Sequence, residues 1–323
     1  MLTFEKAIEA FRYNMETFET PKKTVEVRLM AVNMFKNYCW NSSGIELVDD
    51  VDYEIAITFI NFLKNEGSKS GSTINSYIMH IRSFFKMLHQ TKLIKEDKVG
   101  FFRPFPKRIA ENIKSNRQKE YKNKDIKRFI SKEDREKILA ATSKTYDPRR
   151  NALMLELTWV CALRISETVE LKVSDIDFNK HTILIRNSKR HKTRTFICGN
   201  VDFMRRLSKY IDDMFLTEDE YVFKNRSRRA QTANISPDGA DGIFRETLGY
   251  AGLPVGRKEG GYCTHDMRGT GITIMLESGV PLVVVRDLVG HNDIQQTMTY
   301  YRSNDSDAKY QMLKNAAKKG ADL

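Results

Sequence analysis

The chain has 323 residues, of which 41% are hydrophobic and 10% aromatic. The length predicts two domains that each bury a core, the composition excludes wholesale disorder, and no apolar run approaches the roughly 18 residues of a membrane span. The 54 Lys and Arg against 42 Asp and Glu give a net charge of +12. This excess favours a polyanionic partner over a merely soluble basic protein, because each phosphate contact by Lys or Arg releases counterions.

The cysteines and the N-terminus together predict a cytoplasmic protein. The four cysteines are far apart in the chain and form no C-x-x-C pair, so we expect reduced thiols: Cys39, Cys161, Cys198 and Cys263. The six histidines are not grouped with them at the spacing of zinc ligands. No basic patch precedes a hydrophobic core at the N-terminus, so no secretory signal is expected.

Residues 1–102 are predicted to form a domain of four amphipathic helices. Thr20-Pro21 separates the first two helices, Asp52 is the expected N-cap of the third, and Ser72 that of the fourth. Apolar side chains recur at three- and four-residue spacing and define one buried face on each helix. Examples of these positions are Phe4, Ala7, Phe11, Val27, Phe35, Ile55, Phe59, Ile74, Ile78, Ile81 and Phe85.

Two features of this half carry basic charge: a solvated surface is the plain interpretation of both, and the second also suits contact with a phosphate backbone. The fourth helix carries Arg82 and Lys86 on its polar side. Residues 103–128 then hold ten Lys or Arg against three acids, and we expect an extended, self-repelling interdomain linker there.

Residues 129–323 are predicted to form a second, mostly helical domain with a small β-hairpin. Ser131 is the expected cap of its first helix, and a later helix, from about Arg149, ends near Arg164. The two strands are predicted at 182–186 and 195–198, joined by the basic loop 188–194. Further helices are expected at 201–215, 237–251, 265–278 and 281–289.

A constellation near the C-terminus suits chemistry on a phosphodiester. His265 and Arg268 are three residues apart, which places them on one helix face. His291 follows the helix-ending Gly290, and Tyr300 lies nine residues further on. A guanidinium matches phosphate oxygens, an imidazole moves protons near neutral pH, and a phenol is a covalent nucleophile.

With Ala162-Leu163-Arg164-Ile165-Ser166-Glu167 upstream, these motifs resemble the tyrosine recombinase (phage integrase and Xer-like) family. The resemblance implies a mainly α fold, in which a four-helix, SAM-like core-binding domain precedes the catalytic domain. It implies a site-specific recombinase that cleaves and rejoins double-stranded DNA through a 3′-phosphotyrosyl intermediate, without metal, ATP or another cofactor.

The resemblance also implies roles for individual residues. The catalytic set is Arg164, Lys189, His265, Arg268, His291 and the nucleophile Tyr300, supported by Glu167. The expected DNA-contacting set is Arg82, Lys86, Arg190, His191, Lys192 and Arg194.

Several alternatives stay open at this point. Tyr301 competes with Tyr300 for the role of nucleophile. For Arg164, the alternative to a catalytic role is a structural ion pair with Glu167. Asp266 either holds an imidazole tautomer or acts at the start of its helix. Gly269 stands where the family usually carries a bulkier residue.

The rival functions are a type IB topoisomerase and a DNA-binding protein that does not cleave. The family resemblance further implies a homotetramer on DNA, joined through the tail at 303–323, with accessory proteins left open. No separate arm-site-binding module and no membrane partner are expected. The expected cell compartment is the cytoplasm, at the nucleoid, or the host cytoplasm for a virus or mobile element.

Overall fold

The computed structural model describes residues 1–113, 129–187, 192–226, 232–256 and 260–300. The chain divides into two compact units, Met1–Asp125 and Ile126–Leu323. Both are mainly helical, which confirms the predicted fold class. None of the helices in the described ranges is long and apolar enough to cross a membrane.

The first unit is built on aromatic packing between its helices. Phe35 on the second helix is fully buried, and its ring meets those of Phe4, Phe59, Phe85 and Phe102 at centroid distances between 5.0 and 6.1 Å. Edge-to-face pairs of this kind add to the stabilisation from burial alone. The helices are α1 (Phe4–Thr17), α2 (Lys22–Ser43), α3 (Tyr53–Asn65), α4 (Gly71–Gln90) and α5 (Lys107–Asn112), with 3₁₀ turns at Val48–Asp50 and Val99–Phe101.

The predicted helix caps of this unit are confirmed at one position and wrong at another. The Asp52 carboxylate accepts from the amide of Ile55, as expected for the N-cap of α3. At α4 the cap is Ser70, whose hydroxyl accepts from the amide of Thr73, and not Ser72. The helix starts earlier because Gly71 is already helical.

Residues 103–113 are not the extended tether that their charge suggested. The Asn75 amide on α4 donates to the Phe105 carbonyl at 2.8 Å and accepts from the Phe105 amide at 2.7 Å. At Gly71 a Cβ would lie 2.3 Å from the carbonyl oxygen of Ala110, so only glycine lets α5 lie this close to α4. The start of the predicted linker therefore packs onto the helical unit.

The second unit combines a small antiparallel sheet with helices. Strands β1 (Ile176–Asp177), β2 (Thr182–Asn187) and β3 (Lys192–Ile197) pair in that order, with Ile183 opposite Phe196 and Ile185 opposite Arg194. The hairpin was predicted, whereas β1 was not. The helices are α6 (Lys132–Ala141), α7 (Pro148–Val160), α8 (Ile165–Val169), α9 (Val201–Asp213), α10 (Pro237–Tyr250), α11 (Thr264–Glu277), α12 (Leu282–Val289) and α13 (Ile294–Met298), with 3₁₀ turns at Thr142–Lys144 and Val173–Asp175.

Helix α11 packs directly against α7. The contact is close because Gly271 has no side chain: a Cβ there would lie 2.1 Å from the carbonyl oxygen of Trp159. Met267 and Ile272 on α11 are fully buried. The packing fixes α11 against the end of α7, where the chain turns towards Arg164.

Candidate active site

Arg164 is presented by a tight turn after α7. Ala162 in this turn has φ +47°, a left-handed conformation that is uncommon for a residue with a side chain. Arg164 then precedes α8, where its backbone amide donates to Oε2 of Glu167 at 2.9 Å and its Nη1 donates to Oε1 at 2.7 Å. Its side chain keeps 39% of its surface exposed, so it is partly accessible from solvent.

Arg268 is the largest of the fully buried side chains, at 1% exposure. Its Nη1 donates to the carbonyl of Ala162 at 2.7 Å and its Nη2 to the carbonyl of Val289 at 2.8 Å. This guanidinium therefore joins the turn after α7 to the end of α12. Burial, together with the positive charge of Arg164, lowers the pKa of Arg268 to about 10, so it stays protonated at neutral pH.

The carboxylate of Glu167 forms ion pairs with the arginines of the site. Besides Arg164, it accepts from Nη1 and Nη2 of Arg194 at 3.0 and 2.7 Å, and Nη1 of Arg268 lies 3.7 Å away. Burial by itself raises the pKa of Glu167, but the hydrogen bonds and charges of Arg194 and Arg164 outweigh it and lower the pKa to about 2. Arg164 and Arg268, predicted to grip one anion, thus meet at a single carboxylate.

Arg194 lies in this cluster and not on the outer surface. We predicted a DNA contact for it from the basic loop, but its side chain is only 10% exposed. In addition to Glu167, it donates from Nε to the carbonyl of Leu288 on α12 at 2.9 Å. The sequence held a signal for this placement, because alternation along β3 puts Arg194 on the same face as the buried Phe196.

His291 and Tyr300 lie together after α12. Gly290 ends this helix with φ +69°, and the Nδ1 of His291 is 2.8 Å from the hydroxyl of the fully buried Thr297 on α13. The ring of Tyr300 stacks on that of His291, with centroids 6.1 Å apart and planes at 16°. Neither α13 nor the partner role of Thr297 was predicted from the sequence.

Tyr300 is buried in an apolar cluster at 5% exposure. Its neighbours there include Ala162, Ile272, Val285 and Val289. Two of these neighbours, Ala162 and Val289, supply the carbonyls that accept from Arg268. The turn after α7, helix α11 and the end of α12 thus bring Tyr300 to the arginine cluster.

His265 differs from Arg268 in its surroundings, although both are on α11. His265, in the first turn of the helix, is exposed, whereas Arg268 is buried. The neighbouring Asp266 accepts from the amide of Cys263 at 2.8 Å. Of the two roles left open for Asp266, the structure therefore shows the one at the start of the helix.

The remaining predicted residues are in part outside the described residues. This holds for Lys189, Arg190, His191, the side chain of Lys192, and Tyr301. In the first unit, Lys86 is exposed on α4. Arg82, by contrast, donates from Nη1 to the carbonyls of Val99 and Phe102 at 2.9 and 2.7 Å, which gives it a structural role. Within the part of the chain that the structure describes, no three His, Cys, Asp or Glu residues are grouped to hold a metal ion.

Comparison with known proteins gives matches along most of the chain. Residues 128–307 match the Phage integrase family and residues 6–104 the Phage integrase SAM-like domain. The chain is 24% identical over 304 residues to a probable integrase/recombinase protein of Methanocaldococcus jannaschii, covering 91% of this chain and 84% of that protein. It is 26% identical over 279 residues to tyrosine recombinase XerC of Bacillus pumilus, covering 82% of each.

The fold is similar to that of lambda integrase in two solved assemblies. For the dimer bound to a COC′ core site, the TM-score is 0.66 at 15% identity, covering 93% of this chain and 77% of that chain. For the tetramer bound to a Holliday junction, the TM-score is 0.66 at 14% identity, covering 92% and 79%.

Proposed function

Since this chain belongs to the phage integrase family, the tyrosine recombinases that break and rejoin DNA, we propose that Tyr300 is the nucleophile of a site-specific recombination reaction. The observation that carries the proposal is the convergence of Arg164 and Arg268 on one carboxylate, with Tyr300 in the same apolar cluster as Ala162 and Val289, whose carbonyls hold Arg268. Arginine forms two-pronged hydrogen bonds with phosphate as it does with carboxylate, so guanidiniums that meet at Glu167 are also suited to bind a phosphate.

The proposed reaction conserves the energy of the phosphodiester bond. The Tyr300 oxygen attacks the phosphorus, a 3′-phosphotyrosyl bond forms, and the bond to the 5′ oxygen breaks. His265 assists removal of the phenolic proton, and Lys189 protonates the departing oxygen to give a 5′-hydroxyl. Attack by a 5′-hydroxyl on the phosphotyrosine then reseals a strand and releases the tyrosine.

The arginines stabilise the charge that the phosphate gains on the way to the pentavalent transition state. Such preorganised donors act most strongly where water is excluded, and each contributes about 3–4 kcal/mol to the rate. Arg268 is held by two carbonyls in a buried position, so little reorganisation is needed for it to act. His291, oriented by Thr297, adds a hydrogen bond to the same phosphate.

Attack requires movement of the nucleophile. Tyr300 is 5% exposed and belongs to the buried apolar cluster that includes Ala162 and Val289, so a DNA phosphate has little access to its phenol. We therefore infer that the segment from α13 to Tyr300 shifts outward when DNA binds. Burial of the phenol protects the enzyme from unproductive chemistry until its substrate is in place.

The working assembly we propose is a homotetramer on two DNA sites. The support is the lambda integrase tetramer bound to a Holliday junction, whose fold this chain shares. The tail at 303–323, proposed to join subunits, lies outside the described residues. The enzyme would work in the cytoplasm at the nucleoid, or in the host cytoplasm when a virus or mobile element encodes it.

The test is covalent trapping on DNA from the flanks of the protein's own gene. Footprinting first locates the protected site, and a synthetic duplex of that site, nicked near the cleavage position, then traps the adduct. We expect a denaturant-stable protein–DNA adduct with the wild type, the same footprint without adduct for Tyr300→Phe, and an adduct for the matched control Tyr301→Phe.

Each other outcome has a defined meaning. An adduct formed by Tyr300→Phe but not by Tyr301→Phe would move the nucleophile to the neighbouring residue. A protected site on which the wild type forms no adduct would favour a DNA-binding protein without cleavage. Relaxation of a supercoiled two-site plasmid without exchange between the sites would favour a topoisomerase.

A further inference from the structure

Arg194 makes more contacts within the catalytic cluster than binding of a surface phosphate would require. From β3 it reaches two other segments, the start of α8 through both oxygens of Glu167 and the end of α12 through the carbonyl of Leu288. All three donor nitrogens of its guanidinium are used in these contacts. Such a fork is available to arginine and not to lysine.

The turn that carries His291 is shaped around this guanidinium. A Cβ at Gly290 would lie 3.0 Å from Cδ and 3.1 Å from Nη1 of Arg194. The left-handed φ of +69° already favours glycine here, and the close approach of Arg194 adds a second reason. Arg194 therefore packs directly against the backbone between Val289, which holds Arg268, and His291.

Charge balance gives Arg194 a second effect. Without Arg194, the cluster would consist of Glu167, Arg164 and Arg268 and would carry one positive charge. Glu167 would then compete with the DNA phosphate for both guanidiniums. Arg194 satisfies the carboxylate with a two-pronged contact and brings the cluster of three arginines and one glutamate to two positive charges. A phosphate in the transition state needs this surplus.

We propose that Arg194 is a positioning residue for the recombination reaction, which holds Glu167 and the Gly290–His291 turn so that Arg164, Arg268 and His291 face one phosphate. It acts without touching DNA. The inference rests on the proposed function, since it concerns the same site.

The experiment separates DNA binding from cleavage in the full-length protein. Arg194→Met and Arg194→Lys are compared with the wild type on the footprinted duplex, for the salt dependence of the dissociation constant and for the single-turnover rate of adduct formation. A residue that contacts phosphate changes the salt slope by about 1 on removal. A positioning residue leaves the slope unchanged, whereas a misplacement of about 1 Å at the site lowers the cleavage rate by about 100-fold.

We expect an unchanged salt slope for both variants, a loss of cleavage of about 100-fold for Arg194→Met, and a smaller loss for Arg194→Lys. Lysine keeps the charge but lacks the fork that reaches Glu167 and Leu288 together. Should Arg194→Met fail to fold, Arg194→Lys carries the same comparison.

Arg206→Met is the matched control, because Arg206 also forms a two-pronged pair with a glutamate, Glu156, at 2.8 and 2.7 Å in the same unit. Its melting temperature should fall while the cleavage rate of the folded protein stays that of the wild type.

Two results would overturn the inference. One is an Arg194 variant that cleaves at the wild-type rate, and the other is a salt slope reduced by about 1 with cleavage lost only in proportion to binding. Failure of the wild type to form any adduct would instead count against the proposed function, so the two failures are distinguishable.

Discussion

Substitution of Gly271 by alanine should separate the two helices that build the site. Gly271 lies three residues after Arg268 on α11, and a Cβ there would be 2.1 Å from the carbonyl oxygen of Trp159 and 3.1 Å from Cβ of Ala162. Neither neighbour is the end of a flexible side chain. The added methyl group therefore has to push α11 away from the end of α7.

The size of the effect follows from these distances. Ordinary contact begins near 3.4 Å, so the helices must part by about 1.3 Å from the present 2.1 Å. The bond from Arg268 to the Ala162 carbonyl, now 2.7 Å, would lengthen to about 4 Å and be lost. Overpacking costs about 1–3 kcal/mol, the buried charged hydrogen bond about 1.5–3 kcal/mol, and the better helix propensity of alanine offsets about 1 kcal/mol. The net destabilisation is about 1.5–5 kcal/mol.

Thermal unfolding measures the loss of stability, and adduct formation measures the displacement of Arg268. In a unit of this size each kcal/mol lowers the melting temperature by about 2–4 °C, and cleavage should fall because Arg268 is displaced. Gly242→Ala is the matched control, since Gly242 is also helical and no atom lies within 4 Å of its Cβ position. This control should gain about 0.5–1 kcal/mol. A Gly271→Ala protein as stable as the control would refute the reasoning.

Three further predictions address groups whose partners the structure identifies. Thr297→Val removes the hydroxyl beside Nδ1 of His291 and should slow cleavage about tenfold and change the pH profile of cleavage. Thr297→Ser should retain the wild-type rate and pH profile, and identical behaviour of the two variants would contradict an orienting role for the hydroxyl. The pKa of Glu167 is about 2 against the ordinary 4.5, so the carboxylate stabilises the fold fully above about pH 4.5 and loses this contribution as pH falls towards 2. Glu167→Gln should therefore lower the free energy of unfolding by on the order of 3 kcal/mol at pH 7 and flatten its acid dependence, which denaturant titrations at several pH values will measure. Lys86→Ala should reduce the salt slope of DNA binding by about 1, whereas Arg82→Ala should leave the slope unchanged and lower the melting temperature, because Arg82 holds two backbone carbonyls.

Local sequence patterns predicted the helices well, because apolar spacing, caps and glycines act within a few residues. The four N-terminal helices, the hairpin and the helix that starts at Thr264 all lie close to their predicted positions. The short elements β1 and α13 were missed, since segments of two and five residues carry no periodicity of their own. The compact packing of residues 103–113 was also missed, because it depends on Asn75 and Gly71 far away in the sequence.

The candidate reacting groups could be identified from the sequence. The residue types at Arg164, His265, Arg268, His291 and Tyr300, with their order and spacing, were sufficient to indicate chemistry on a phosphodiester and the family. Chemistry on a phosphodiester requires side chains of these types, wherever the fold places them.

Which charges face one another was decided only by tertiary structure. Arg194 is 27 residues from Glu167, and Arg268 is 106 residues from Ala162, yet these are the contacts that form the site. No local pattern encodes such pairs, because they arise only when α7, β3, α11 and α12 pack against one another. The same packing buries Tyr300. It also places Arg194, which we expected to contact DNA, beside Glu167, because a buried charge is far more stable when it is paired than when it is unpaired.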